Sequence, residues 1–203
     1  MSGDTQTLFV SKLYRAAIED EKLRTEVLRS CLAIAAQDEA GQAWSAAHGY
    51  RGYTSYASLN DLPKRDPAFA DLKKALDPHA RAFAAELHLD LGRRKLALDS
   101  IWINVLAPGG AHSGHIHPHS VLSGTYYVDI PKGASALKLE DPRLPLMMAA
   151  PPRREDAPEA ERTFVYLAPR AGDVLMWESW LRHEVVLNEA RKPRVSVSFN
   201  YAW

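Results

Sequence analysis

Apolar residues recur at helical spacing in the first part of the chain. Asp20 is a residue type that commonly caps a helix N-terminus, and the apolar positions after it share one helical face. Gly41 predicts the end of this helix, because glycine often follows a helix C-terminus. The predicted buried face consists of Leu23, Val27, Cys31, Ile34 and Ala35.

Two Asp-Pro pairs predict the next helices. Asp66 and Asp77 are capping residues, and each precedes a proline, which is favoured at the first helical position. We therefore predict two short helices that end near Leu89. Before them, residues 49–60 contain glycines, serines and three tyrosines without a sustained period, which indicates an ordered loop.

The pattern becomes strand-like after Gly92. Short segments there are rich in β-branched and aromatic residues and are separated by glycine or proline. A further short strand is predicted at residues 9–14. Helices followed by strands predict an α+β fold with a double-stranded β-helix, a jelly-roll or cupin-like core, supported by N-terminal helices. The predicted strands after Gly92 are residues 96–106, 121–130, 136–140, 163–167, 173–177 and 194–201.

Length and composition favour one domain. We expect residues 1–92 to form a mainly helical support and residues 93–203 to form the jelly-roll core that carries the site. The formal charges cancel to zero, so no basic surface indicates nucleic acid or an anionic membrane. One cysteine excludes an internal disulfide. Residues 1–7 are polar and no segment approaches the ~20 apolar residues of a membrane span, so we expect a cytoplasmic protein.

Four of the eight histidines lie within residues 112–119. Alternate side chains of an extended chain point the same way, so His115 and His117 can present two imidazoles to one metal ion. The proline that follows ends this geometry, which makes His119 a less suitable ligand, and His112 lies a loop away. Histidines can also decorate a turn without binding metal. Their density at the end of a predicted barrel favours a metal site.

His183 is the candidate third ligand, because it follows one predicted strand and precedes another. Polar and apolar residues alternate along the last strand, so one face is polar. That face carries Arg194, Ser196, Ser198 and Asn200.

An arginine that faces into a barrel needs a bound anion or a buried carboxylate, because an unpaired buried charge is costly. A dicarboxylate cosubstrate at Arg194, with Ser196 beside it, meets this need. An ordinary ion pair with an acidic residue would meet it equally. The candidate partners for such an ion pair are Asp99, Asp129 and Asp173.

The arrangement of these residues resembles the 2-oxoglutarate and iron(II)-dependent dioxygenase superfamily. Its pattern is His-x-Asp/Glu, a distant His, and an Arg or Lys on the next strand. His115-x-His117, His183 and Arg194 stand in that order, with Arg194 placed 11 residues after His183. INVLAPGGAHSGHIH resembles the strand and loop before the metal motif of AlkB-type demethylases, and RVSVSFN resembles their closing strand.

A group of bacterial 2-oxoglutarate oxygenases resembles residues 96–203 more closely, through HIHPHSVLSGTYYV, DPR, SWL with His183, and RVSVSFN. The resemblance implies a 2-oxoglutarate-dependent oxygenase with iron(II) on catalytic His115, His117 and His183. It also implies that Asn104 contacts the C1 carboxylate of 2-oxoglutarate. Tyr127 would reach the tail carboxylate beside Arg194.

His117 departs from the superfamily pattern, because a carboxylate normally stands at its position. Three neutral imidazoles also suit zinc, copper or nickel. Two alternatives therefore stay open. One is a three-histidine metalloenzyme that does not use 2-oxoglutarate, either a cupin-type dioxygenase or a zinc hydrolase. The other is a non-catalytic jelly-roll binding protein.

For the oxygenase we expect a small-molecule or peptide substrate, and the sequence leaves a homodimer open. Residues 143–162 and 49–56 are candidates for closing the pocket.

Overall fold

The computed structural model describes residues 3–203, which form three α-helices and ten β-strands. Met1 and Ser2, the start of the polar N-terminal segment, lie outside the described residues. The helices are α1 (Glu21–Gln37), α2 (Glu39–Ala47) and α3 (Pro67–Glu86). The strands are β1 (Leu13–Ala17), β2 (Gly52–Thr54), β3 (Ala97–Leu106), β4 (His112–His115), β5 (Leu122–Asp129), β6 (Leu137–Glu140), β7 (Phe164–Leu167), β8 (Asp173–Glu178), β9 (His183–Val185) and β10 (Arg194–Ala202).

Antiparallel pairing joins the strands into two sheets. The larger sheet has the strand order β1-β8-β5-β10-β3-β2, and the smaller sheet has the order β4-β9-β6-β7. Side chains of both sheets meet in one buried apolar cluster, so the sheets face each other. The α+β fold with a double-stranded β-helix core is therefore confirmed. The cluster consists of Tyr127, Leu137, Leu139, Leu167, Leu175, Trp177 and Leu181.

The outer face of the larger sheet packs against α1 and α3. Alternate residues of β10 enter this core because side chains of a strand point to opposite faces in turn. Those residues are Val195, Val197, Phe199 and Tyr201. The intervening residues of β10, including Ser198 and Asn200, face a cavity between the sheets.

The predicted first helix begins correctly but ends earlier than expected. The Asp20 carboxylate accepts a hydrogen bond of 2.9 Å from the Leu23 backbone N–H, as a capping residue does. Gly41 does not end this helix, because it lies inside α2, whose own cap is Asp38. A Cβ atom at position 41 would lie 2.8 Å from the Tyr53 ring. Glycine is therefore needed here for close packing and not for a helix end.

The prediction of two helices after Asp66 was wrong. Asp66 does cap a helix, but that helix runs without a break from Pro67 to Glu86 and contains Pro78. A proline inside a helix costs about 3 kcal/mol relative to alanine. Tertiary packing offsets this cost, because one apolar face runs through both halves of the helix and is buried against the body. That face includes Phe69, Leu72, Leu76, Ala80 and Phe83.

The six strands predicted after Gly92 agree with β3, β5, β6, β7, β8 and β10 to within a residue or two. The strand predicted at residues 9–14 is displaced, because β1 spans Leu13–Ala17 and Phe9 is 96% exposed. Three strands of three or four residues were missed: β2, β4 and β9. Within the described residues, no helix has the length and apolar character needed to cross a bilayer.

Candidate metal and cosubstrate site

Two neighbouring histidines and a third that is distant in sequence meet at one edge of the smaller sheet. His115 ends β4 and His183 begins β9, and the two residues are direct partners in the register of these strands. His117 follows β4 by two residues. One ligand nitrogen from each ring lies within 4.8 Å of the others. We call His115, His117 and His183 the histidine cluster.

Hydrogen bonds orient two of the three rings. Nδ1 of His115 lies 2.7 Å from the Ser113 carbonyl oxygen, and Nδ1 of His183 lies 2.9 Å from the Leu181 carbonyl oxygen. A carbonyl oxygen only accepts, so each Nδ1 carries the proton. Nε2 of each ring is then unprotonated and carries a lone pair, as in metal-binding histidines, and Nε2 of His183 lies 3.3 Å from Nε2 of His117.

Burial keeps His117 and His183 uncharged near neutral pH. It lowers the pKa of His117 to about 4 and the pKa of His183 to about 3, and the neighbouring His115 acts in the same direction on both. Neutral imidazole is the form that binds a metal ion.

The chain around the cluster is held by local geometry. The backbone N–H of His117 donates to the Ser179 carbonyl oxygen at 3.0 Å, which fixes the segment after β4 to the end of β8. A register irregularity separates His112 from His115. His119 has a φ of 68°, in the left-handed region, so the chain turns away there.

Arg194 is buried in the same part of the barrel. It is 3% exposed, its Nε has no hydrogen-bond partner, and no carboxylate in residues 3–203 forms an ion pair with it. The alternative of an ion pair with Asp99, Asp129 or Asp173 is therefore excluded for the described chain. The guanidinium carbon lies 5.1 Å from the centre of the Tyr127 ring.

Two phenols accompany this guanidinium. The hydroxyls of Tyr50 and Tyr127 are buried and have no hydrogen-bond partner among the described residues. Burial raises the pKa of Tyr127 to about 12 and also raises that of Tyr50, while the charge of Arg194 opposes both shifts. Both hydroxyls therefore stay protonated and can donate. Hydrogen-bond donors without an acceptor, grouped around a buried cation, suit a bound carboxylate.

A cavity of about 580 Å³ opens beside the histidine cluster. Its walls come from α2, the segment around β2, the inner face of the larger sheet and the residues of β4 and β9. Residues 49–56 contribute to its lining through Gly49, Tyr50, Thr54 and Tyr56, and closure of the pocket by this segment stays a prediction. No residue from 143–162 lines the cavity. That segment contains two short 3₁₀ turns and exposes Met148.

A family model described as "Putative 2OG-Fe(II) oxygenase" matches residues 100–200, the part that carries the cluster and Arg194. The chain belongs to the 2OG-Fe(II) oxygenases. Iron and 2-oxoglutarate are accordingly the cofactor and cosubstrate of this oxidoreductase. A search of curated proteins finds no match to it.

Solved structures share the fold of this oxygenase. A prolyl-4-hydroxylase from Pseudomonas putida superposes with a TM-score of 0.66 at 16% identity, over 95% of this chain and 94% of that one. The epimerase SnoN from nogalamycin biosynthesis gives 0.63 at 14% identity, over 95% and 76%. HygX from Streptomyces hygroscopicus, with nickel and 2-oxoglutarate bound, gives 0.58 at 15% identity, over 95% and 82%.

The residues present in the oxygenase fit both groups. Three neutral imidazole nitrogens that face one point suit a divalent iron ion. A buried guanidinium with two free phenol hydroxyls suits the far carboxylate of a dicarboxylate such as 2-oxoglutarate. Family membership thus decides between the alternatives left open by the sequence, in favour of the oxygenase over an oxoglutarate-independent metalloenzyme or a non-catalytic binding protein.

The other predicted cosubstrate residues also lie in this region. Asn104 is buried, and its side-chain oxygen accepts from the Thr54 hydroxyl at 3.0 Å while its NH₂ donates to the Ser198 hydroxyl at 3.0 Å. Ser196 is buried and pairs in register with Asn104 on one side and Tyr127 on the other. Asn104 and Ser196 are thus placed beside the pocket, and their contacts with 2-oxoglutarate stay predictions.

Sequence reasoning missed Tyr50 and His112. Tyr50 belongs to the 49–60 segment, where three tyrosines are present and no period distinguishes one of them. His112 is the first histidine of the 112–119 run, and its ring centre lies 4.8 Å from that of Tyr50. Burial lowers the pKa of His112 to about 4, with His115 acting in the same direction. Neither His112 nor His119 joins the histidine cluster.

Proposed function

We propose that the oxygenase binds iron(II) through His115, His117 and His183 and hydroxylates a C–H bond of a small molecule, amino acid or peptide side chain. The observation that carries this proposal is the convergence of three imidazole nitrogens within 4.8 Å at the wall of a cavity. Three protein ligands leave coordination positions for a cosubstrate and for dioxygen.

Arg194 would bind the far carboxylate of 2-oxoglutarate, and Tyr127 and Tyr50 would each donate a hydrogen bond to it. A buried arginine without an ion pair is costly in the free protein, so a dianionic ligand gains by supplying the missing charge. Ser196 and Asn104 would position the rest of the cosubstrate. The Asn104 NH₂ group donates one hydrogen to Ser198, and its second hydrogen would be donated to the C1 carboxylate while the amide oxygen keeps its bond from Thr54.

The protein itself orients and encloses the reactants. When bound, iron and 2-oxoglutarate together supply the oxidation of a C–H bond by dioxygen, with release of succinate and carbon dioxide. The hydrogen bonds from His115 and His183 to backbone carbonyls hold their rings in place. Trp177 packs against His183, with ring centres 4.6 Å apart, and excludes water from that side.

An anaerobic titration tests the proposal. Iron(II) and then 2-oxoglutarate are added to metal-free protein, and the weak visible charge-transfer band of chelated 2-oxoglutarate is recorded. We expect the band in the wild type, its loss in His183→Ala, and a large rise in the 2-oxoglutarate concentration required in Arg194→Ala.

His119→Asn is the matched control, because His119 lies near the cluster without belonging to it and asparagine tolerates its positive φ. This variant should give the full band. A band that survives in His183→Ala, or that vanishes equally in His119→Asn, contradicts the assignment of the three ligands.

A further inference from the structure

One wall of the cavity consists of large aromatic rings. They come from three elements: Trp44 from α2, Tyr56 from the segment after β2, and Trp102 from β3. We call these three residues the aromatic wall. Trp44 and Tyr56 precede the core strands and Trp102 lies within the first of them, so two of the three rings come from the helical half of the chain.

The rings of the aromatic wall form a series that ends at the histidine cluster. The ring centres of Trp44 and Tyr56 lie 6.3 Å apart, those of Tyr56 and Trp102 lie 5.3 Å apart, and Trp102 lies 5.7 Å from His117. Trp102, next to the histidine cluster, is 5% exposed, whereas Tyr56, the middle ring of the three, is 53% exposed. A ligand that follows these rings would therefore reach the metal position.

The Trp44 ring is oriented by a stacking contact. It stacks on His48 with centres 4.1 Å apart and planes 17° from parallel. Such offset or stacked pairs restrict the orientation of an indole. The wall thus presents a partly fixed surface, which lowers the conformational cost of binding a flat group against it.

The cavity lining carries no formally charged side chain in the part of the chain that the structure describes. None of the lining residues is Asp, Glu, Lys or Arg. The polar hydroxyls on the sheet side are already paired, since Thr125 and Ser198 lie within 3.2 Å of each other and Ser123 donates to Asn200. Neither an ammonium group nor a carboxylate of a substrate would find an ionic partner on these walls.

The net charge of the site with iron(II) and 2-oxoglutarate bound also disfavours a cationic substrate. Three neutral imidazoles add no negative charge, so the two positive charges of iron(II) and the two negative charges of 2-oxoglutarate cancel. The guanidinium of Arg194 then leaves one positive charge in the site with its ligands bound, but this buried residue does not line the cavity. A cationic group would be repelled here, although aromatic faces alone would attract it.

We infer that the substrate presents an uncharged ring to the aromatic wall, with the C–H bond that is oxidised on or next to that ring. This inference rests on the proposed function, because the charge argument requires iron and 2-oxoglutarate at the assigned residues. Ring burial against Trp44, Tyr56 and Trp102 would supply most of the affinity, as in small-molecule sites that are mainly apolar with few polar contacts.

Equilibrium dialysis under nitrogen tests the inference with three probes of one shape: benzyl alcohol, benzylammonium and benzoate. The protein is loaded with iron(II) and saturating 2-oxoglutarate, and the charge-transfer band is recorded in the same sample. We expect benzyl alcohol to bind more tightly than either charged probe. Tyr56→Leu and Trp44→Leu should each weaken its binding roughly two- to tenfold, which corresponds to the loss of one aromatic contact.

Tyr166→Leu is the matched control, because Tyr166 is 58% exposed on β7 and does not line the cavity. It should leave the binding of benzyl alcohol unchanged. Tightest binding of benzylammonium would replace the inference with a cation-binding cage, and tightest binding of benzoate would replace it with an anion site. Equal binding by the wild type, Tyr56→Leu and Trp44→Leu would also overturn it.

The two proposals fail in different ways. A normal charge-transfer band without selective binding of benzyl alcohol overturns only the ring inference. An absent band overturns the proposed cosubstrate site, whatever the probes do.

Discussion

Arg194 should destabilise the ligand-free oxygenase and become favourable only when 2-oxoglutarate is bound. The guanidinium is 3% exposed and has no ion-pair partner in the described chain. Methionine has similar length and fills irregular space well, so Arg194→Met removes the charge without leaving a large void. Since apolar replacement of buried charged groups is often stabilising, we expect ligand-free Arg194→Met to gain about 1–3 kcal/mol. For a protein of this size, each kcal/mol raises Tm by about 2–4 °C.

Added 2-oxoglutarate should stabilise the wild type more than it stabilises Arg194→Met. At a 2-oxoglutarate concentration of about 100 times Kd, the wild type gains roughly 2.7 kcal/mol of stability. Truncating one partner of a buried, hydrogen-bonded charge pair costs about 2–5 kcal/mol of binding, which weakens Kd by about 30-fold or more. Arg194→Met should therefore gain less than about 1 kcal/mol at the same concentration.

Thermal unfolding followed by circular dichroism measures both effects on anaerobic protein with iron(II), without and with 2-oxoglutarate. Arg191→Met is the control, because Arg191 is exposed three positions earlier and should behave as the wild type. A ligand-free Arg194→Met that unfolds well below the wild type would refute the account of an unpaired buried charge. A variant that keeps the full shift with 2-oxoglutarate would refute the cosubstrate role.

Three further substitutions test other parts of the structure. Tyr50→Phe should raise the Kd for 2-oxoglutarate by about three- to tenfold in the same anaerobic titration, because one donor to the far carboxylate is lost, and an unchanged Kd would remove Tyr50 from the site. Phe199→Ala should cost about 3–5 kcal/mol in urea unfolding, because the ring is 1% exposed in the core under the helices; a loss below about 1 kcal/mol would contradict that packing. Asp38→Ala should cost about 1–2 kcal/mol, because this carboxylate caps α2 and accepts from the Tyr53 hydroxyl. Burial alone would raise the pKa of Asp38, but hydrogen bonds from Ser58, Gly41 and Tyr53 lower it overall. The stability that the ionised Asp38 carboxylate contributes is therefore present above its unfolded-state pKa and is lost as the pH falls below about 4. Wild type and Asp38→Ala should converge in stability at acid pH, and a difference in stability that stays constant with pH would refute a role for the charge of Asp38.

The strands of the barrel could be predicted from sequence because their signal is local. Period-two alternation and bounding glycines or prolines located β3, β5 and β10 closely. Strands β4 and β9 contain only four and three residues, too few for a period to show. Both carry members of the histidine cluster. Their ligands were found through the chemistry of the side chains and the family resemblance, and not through the strand pattern.

The helical half illustrates where local signals fail. Asp20 predicted a helix start correctly, since a cap depends on neighbouring backbone groups. The Asp77-Pro78 pair carries the same kind of signal, yet α3 continues through it. The Asp77 carboxylate instead accepts from the Tyr201 hydroxyl and pairs with Lys73. Such a partner on β10 is far away in sequence, so no local pattern could reveal it.

In the candidate site, too, sequence patterns predicted some residues and could not predict others. Alternation along β10 placed Arg194 on the polar face, but whether an aspartate would neutralise it depended on the three-dimensional arrangement. The structure excludes that ion pair. Tyr50 lies in a segment without periodicity, so only the folded chain, in which the charge of Arg194 acts on its buried hydroxyl, distinguishes it from Tyr53 and Tyr56.

The origin of the aromatic wall has a practical consequence for engineering. The family model begins at residue 100, whereas Trp44 and Tyr56 belong to the preceding helical half. Two of the three aromatic-wall residues are therefore encoded outside the stretch that carries the iron ligands and Arg194. A library confined to residues 44–56, with Tyr50 and the buried Tyr53 and Thr54 kept, would vary selectivity while leaving the iron ligands and Arg194 untouched. Directed evolution of this oxygenase could begin there with little risk to turnover.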